Sequence, residues 1–154
     1  MARDLPTRLV YARNWPLVGK LAYFALKALG VEIPRSVPVG PDFELAHGGV
    51  GVVIHSKAAI GARVKIYPGV TIGRADIYRP ASESRFEGVV VENDVILSPG
   101  AKVLCKAGVL TVGRGSVIGA NAVLLESTGA GEVWAGNPAR CLGQREGWLE
   151  TSER

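Results

Sequence analysis

The chain has 154 residues, 47% of them apolar, and a formal net charge of +4. That fits one domain with a real core, and the scattered cations, with no run of five, argue against the basic stripe of a nucleic-acid binder. Two cysteines, Cys105 and Cys141, supply neither a disulfide framework nor a zinc spacing, which points to a reducing, cytoplasmic setting. A modest positive field also suits a phosphate-bearing small molecule.

Residues 1–13 read as polar and irregular. Asn14 fits an N-cap and Pro16 a first helical turn. Leu17, Leu21, Phe24 and Ala28 then follow helical spacing, flanked by Val18, Ala25 and Leu29, and Gly30 suits the C′ position. The pattern predicts one amphipathic helix of about 14 residues. Lys20 and Lys27 interrupt its apolar run, which is too short to span a bilayer, and no cleavage site follows. The expectation is that residues 1–30 form an arm and a helix capping the next element; the alternative is a membrane-surface helix with both lysines at the headgroups.

From Val31 the period becomes six: Ile33, Val39, Leu45, then Ile54, Ile60, Ile66 and Ile72, then Val91, Leu97 and Val103, then Val112, Ile118 and Leu124. Six is neither a helical nor a strand period. It fits a short strand plus a turn, as in hexapeptide β-helix repeats. Small residues follow many inward positions (Gly40, Gly61, Gly73, Gly113, Gly119), where backbone must approach backbone.

Three intervals depart from the beat. Leu45 to Ile54 is nine residues and carries His47; Ile72 to Val91 is nineteen, with a polar loop at 78–88; Val103 to Val112 is nine, around Cys105 and Lys106. Such excursions often form the binding face of a solenoid. The repeat closes near Asn137-Pro138-Ala139-Arg140, and residues 144–154 read as a polar tail with Trp148 as an anchor.

Four segments in this order resemble the hexapeptide-repeat acyltransferases, serine acetyltransferase branch: Val31-Glu32-Ile33, Leu45-Ala46-His47 with Gly51-Val52-Val53-Ile54, Val70-Thr71-Ile72-Gly73, and Ala135-Gly136-Asn137-Pro138-Ala139-Arg140. The resemblance covers about residues 31–143. It implies an all-β, left-handed parallel β-helix of about four coils, three hexapeptides to a coil. It also implies a homotrimer with active sites between subunits, and acyl transfer from coenzyme A to a hydroxyl or amine. His47 falls on the family's general base, and Glu32, fifteen residues upstream, on the carboxylate that orients it.

The chemistry suits that pair. A thioester is already activated; an imidazole can take the acceptor proton, and a carboxylate can steady the imidazolium. Backbone N–H near Gly73 is the candidate oxyanion donor. For coenzyme A the matching positions are Gly100, Ala101, Gly119, Ala120 and Arg140, with Lys102, Lys106 and Arg114 as further cations. Arg79 and Arg85 could hold an anionic acceptor. His55, after an inward Ile54, reads as a corner residue, and both cysteines as structural.

The branch's aspartate before the histidine is Ala46 here, its second histidine after the long loop is missing, and one helix replaces its large N-terminal helical domain. The expectation is therefore an acetyl-CoA-dependent O-acetyltransferase acting on a small hydroxylated acceptor, a sugar or an amino acid such as serine, with no metal. N-acylation of an amino sugar and a non-catalytic trimeric scaffold are the alternatives. A three-histidine zinc hydratase on this scaffold is excluded, because only His47 and His55 exist.

Overall fold

A computed structural model describes residues 4–148. The six-residue beat becomes a three-sided coil. Ile33, Ile54, Ile72, Val103 and Leu124 point inward along a first face. Val39, Ile60, Val91 and Val112 do so along a second, and Leu45, Ile66, Leu97, Ile118 and Trp134 along a third. All are buried except Val39, which is partly so. Each fully buried aliphatic contributes about 2 kcal/mol, so the stacked rows are the main source of stability.

Every rung pairs in parallel with the next. Ile54 lies opposite Ile72, eighteen residues on, so three hexapeptides make one turn. Where an interval is nine, the offset becomes 21: Leu45 faces Ile66, and Val103 faces Leu124. The long loop stretches it to 31, Ile72 facing Val103. The excursions are thus absorbed at corners and leave the register intact. Four turns separate Ile33 from Leu124, as the spacing predicts.

One corner column explains several of the glycines. Between the third and first faces, Gly30, Gly51, Gly69, Gly100 and Asn121 stack with φ between +54° and +78°. A Cβ at Gly100 would sit 2.1 Å from Asn121 Oδ1, so a side chain there would have to displace the Asn121 amide and accept a left-handed φ of +73°. Gly40, Gly61 and Gly113 similarly have backbone within 2.8 Å of a would-be Cβ, whereas Gly73 has nothing within 4 Å. The small residue after Ile72 is therefore not a packing requirement.

The N-terminal expectation is corrected. There are two helices, α1 (Leu5–Ala12) and α2 (Gly19–Ala28). Asp4 caps α1 by accepting the Thr7 N–H at 3.0 Å, and Pro6 fits its first turn. It is α1 that covers the open first coil. Thr7 Oγ1 accepts the Leu45 N–H at 3.0 Å, and the Tyr11 hydroxyl donates to Gly40 O at 2.8 Å while accepting from Phe43 N at 3.0 Å. The buried Arg13 guanidinium donates to the carbonyls of Val10, Pro34 and Val37, and burial lowers its pKa to about 10. Helix α2 ends at Gly30 in a double closure: Gly30 N–H donates to Lys27 O and Val31 N–H to Leu26 O, both at 3.0 Å. Its inward side is Gly19, Ala22 and Leu26; the stripe of Leu17, Leu21 and Phe24 faces out.

At the other end, Glu132–Gly136 folds back antiparallel on Ala139–Gln144 across a cis Asn137–Pro138 bond, covering the last parallel edge. Trp148 is buried beneath the Arg114 guanidinium, 5.2 Å from its ring centre. The rest of the expected tail, 149–154, lies outside the described residues.

Candidate active site

His47 stands on the excursion between the third and first faces. Three consecutive residues turn left-handed there: His47 (φ +52°), Gly48 (+76°) and Gly49 (+64°). Only glycine takes that region freely, and a histidine held there marks a constrained position. The excursion is clamped from both sides. Its entry, Leu45, is hydrogen-bonded to α1, and its exit, Gly51 N–H, donates to Gly30 O at 2.8 Å. The imidazole is exposed, its ring centre 5.9 Å from that of Tyr67. Among the described residues it has no hydrogen-bond or ion-pair partner.

Below His47 the same corner descends rung by rung. Tyr67, Ser98 and Gly119 occupy it on successive turns, then Ala135, and Arg140 pairs with Ala135. At about 4.8 Å per rung, a continuous edge runs roughly 24 Å from the histidine to the arginine. Gly100, Ala101, Gly119, Ala120 and Arg140 all lie along it. Ala101 is buried, with its N–H donated to Ser98 O and its carbonyl accepting from Thr71 N, while Ala120 is exposed with an N–H that no described residue accepts. Pro68 and Pro99 hold the equivalent positions above and have no N–H to give. Lys102 sits beside this edge but donates to Gly69 O. Arg140 lies 4.0 Å from Glu126, both well exposed.

Other predicted residues are elsewhere. Lys106 is on the corner between the first and second faces, and Arg114 on the one between the second and third, stacked on Trp148. Neither joins the His47 edge within one copy of the chain. Gly73 lies in the strand Thr71–Arg74 opposite Leu104. Its neighbours in phase, Thr71 and Ala75, donate to Ala101 and Cys105 on the next rung, so the ladder also takes the Gly73 N–H. The oxyanion expectation finds no free donor there.

Glu32 opens the first face one rung before Val53, where the excursion returns. Its carboxylate pairs with Lys27 Nζ at 3.3 Å, and nothing joins it to His47. Ala46 is buried and brings no acid to the histidine.

The long loop leaves the coil between the first and second faces, on a different corner from His47. Arg74 organises it by donating to the carbonyls of Asp76 and Arg79, with its Nε 3.4 Å from the buried Asp76 carboxylate. Arg79 and Arg85 are exposed on it. Arg85 and Lys106 line a cavity of about 290 Å³ with Cys105 and Glu126. His55 supports the loop from beneath: its Nδ1 accepts the Lys57 N–H at 3.1 Å and its ring meets Phe86 edge-on at 4.8 Å. Burial, then the nearby Lys57 and Arg74 charges, lower its pKa. Cys105 is buried and Cys141 exposed; burial raises the Cys105 thiol. Among the described residues no three His, Cys, Asp or Glu side chains gather as metal ligands, and no helix is long and apolar enough to cross a membrane.

Sequence reasoning missed α1, although Asp4 two residues before Pro6 is a helix-start signal. It also missed Tyr67 as a member of the His47 edge; counting hexapeptides in threes places it there.

No family model matches the chain. It is 36% identical over 127 residues to the plasmid serine acetyltransferase of Synechococcus elongatus, covering 79% of this chain and 39% of that protein. It is 34% identical over 131 residues to the serine acetyltransferase of Helicobacter pylori, covering 78% of this chain and 70% of that one. The crystal structure of Brucella abortus serine acetyltransferase in complex with coenzyme A superposes with a TM-score of 0.72 at 25% identity, over 90% of this chain and 55% of that one. The chain spans about half the length of most of the curated relatives it matches. The fold is the left-handed β-helix of hexapeptide-repeat transferases, as the resemblance implies. At that identity and coverage, the chain belongs to the serine acetyltransferase family.

Proposed function

We propose that the chain transfers an acetyl group from acetyl-CoA directly to the hydroxyl of a small acceptor, with serine the first candidate and His47 the general base. The observation that carries this is an exposed imidazole, without a hydrogen-bond partner among the described residues, fixed on a left-handed excursion at the head of an edge that ends at Arg140. The acceptor oxygen attacks the thioester carbonyl carbon as its proton passes to the imidazole. The tetrahedral intermediate collapses, and the leaving thiolate takes that proton back. No covalent enzyme intermediate is needed.

The edge below His47 suits coenzyme A. Its small residues leave room for an extended arm, Ala120 offers an N–H that no described residue accepts, and Arg140 is a cation at the far end. The relative crystallised with coenzyme A supports this use of the fold. Glu32 is the candidate carboxylate for the imidazolium. Its pairing with Lys27 is exposed and so worth little, which leaves it free to exchange partners.

Loop and base sit on different corners, so a site using both requires neighbouring copies. A homotrimer, with Arg79 and Arg85 of one copy meeting the acceptor at His47 of the next, satisfies that need and buries flanks of a short solenoid. Ala46 removes one acid from the acceptor side, which keeps sugars beside serine among the acceptors.

The test is release of free thiol from acetyl-CoA with a panel of serine, homoserine, sugars and amino sugars. Acceptor-dependent release with a hydroxyl compound supports the proposal. Release only with amino sugars would make the chain an N-acetyltransferase, and none with any acceptor would favour a binding scaffold.

A further inference from the structure

Helix α2 is mounted with its larger apolar side chains away from the body. Small residues, Gly19 and Ala22, with Leu26, form its inward side, which packs chiefly against α1; a Cβ on Gly19 would lie 2.4 Å from Arg13 O. The outer surface carries Trp15, Leu17, Leu21 and Phe24, which are 59%, 97%, 73% and 64% exposed. Val18 and Leu29 extend it at the margins. Isolated exposed apolar residues need no explanation, but a contiguous patch with two aromatic residues does.

Charge chooses among the occupants. Between Asp4 and Glu32 there is no acidic residue, whereas Arg8, Lys20 and Lys27 are exposed there. Lys20 and Lys27 lie on one flank of the apolar stripe, one helical face apart from Leu29. Lysine is depleted at protein–protein interfaces, which makes a second copy a poor fit. Lysines flanking a Trp- and Leu-bearing helix face suit an anionic lipid surface, where the stems lie along apolar atoms and the ammonium groups reach headgroups. Ten residues span about 15 Å, so the helix can only lie in the plane of the interface.

We propose that the outer face of α2, centred on Leu17, Leu21 and Phe24 and flanked by Lys20 and Lys27, docks the protein on an anionic membrane surface. The face meets the acetyl-transfer reading only through the exposed Lys27–Glu32 pair, so its test rests on Lys20, Leu21 and Phe24, none of which that reading uses. It would hold the enzyme beside acceptors that are made or used at the bilayer.

The experiment is co-sedimentation of the full chain with sucrose-loaded vesicles of phosphatidylcholine alone, and of phosphatidylcholine with phosphatidylglycerol. The proposal predicts binding to the anionic vesicles, weak binding to the neutral ones, and a loss of tenfold or more on raising salt from about 0.05 to about 0.5 M. Lys20→Glu should weaken binding by about tenfold. Leu21→Glu with Phe24→Glu should abolish it while leaving circular dichroism and thermal unfolding unchanged, since both side chains are exposed. Absence of wild-type binding at low salt, or undiminished binding by the double variant, overturns the proposal. So does a wild-type oligomer that the double variant dissolves, because the face then belongs to a second copy.

Discussion

The excursion at His47 and the loop after Ile72 interrupt the same coil in opposite ways. The first adds three residues to a six-residue interval and is fixed by backbone: three left-handed residues, a hydrogen bond to α1, another to Gly30. The second fills nineteen residues and is fixed by side chains: the Arg74 contacts, and Phe86 on His55. A base must meet a reacting proton within a few tenths of an ångström, so it belongs on the backbone-fixed feature. Recognition of an acceptor tolerates the adjustable one. The two lie on different corners, so the comparison also predicts that damage to each will be felt in different kinetic parameters.

The largest expected effect tests the backbone-fixed side. A Cβ at Gly49 would meet the Leu45 side chain at 2.6 Å in a left-handed residue, so Gly49→Ala should cost about 2–4 kcal/mol in chemical denaturation. Gly108 has a similar φ of +65° but nothing within 4 Å, so Gly108→Ala should cost only about 1 kcal/mol. Equal losses would mean that conformation alone, and not the tight seat of the excursion, decides.

Glu32→Gln is next. If Glu32 steadies the imidazolium, the variant should lose about 10- to 100-fold in kcat at unchanged coenzyme A affinity, while Lys27→Ala should not. Parallel losses in the two variants would leave Glu32 only its exposed ion pair. On the loop, Arg79→Ala and Arg85→Ala should raise the acceptor KM several-fold with little change in kcat or in unfolding. A fall in kcat alone would contradict the division of labour.

The smallest effect concerns the support of the loop. A histidine whose folded pKa lies below its unfolded value contributes fully above the unfolded pKa, near 6.5, and loses that contribution as pH falls through the folded value. Burial beside Lys57 and Arg74 puts His55 in that class. The melting temperature should therefore decline slightly more steeply below about pH 6.5 in the wild type than in His55→Gln.

The coil was legible because its signal is redundant. Each inward aliphatic from Ile33 to Leu124 repeats the same instruction, and excursions shift the count without erasing it. His47 was legible for the same reason, as a histidine at a missed beat. What the beat lacks is direction. It says that α2 has an apolar stripe at Leu17, Leu21 and Phe24, but amphipathicity does not reveal which side meets the body. Small residues at Gly19 and Ala22 decided that, since they allow closer approach. Side-chain pairing was equally hidden: Glu32 stands at the offset that matches the family, yet Lys27, five residues before it, is nearer than the histidine. Arg114 and Lys106 read as cations for a phosphate, but their corners place them off the His47 edge within one copy of the chain.

The central claim is that His47 performs the chemistry and does not merely shape the edge. The direct measurement is turnover of acetyl-CoA with the best acceptor by wild type and His47→Asn, alongside calorimetric coenzyme A binding to both. The account predicts that turnover falls by about 10²- to 10⁴-fold while coenzyme A affinity stays the same. Equal turnover in the two proteins, or a loss of coenzyme A binding that accounts for the whole effect, would contradict it.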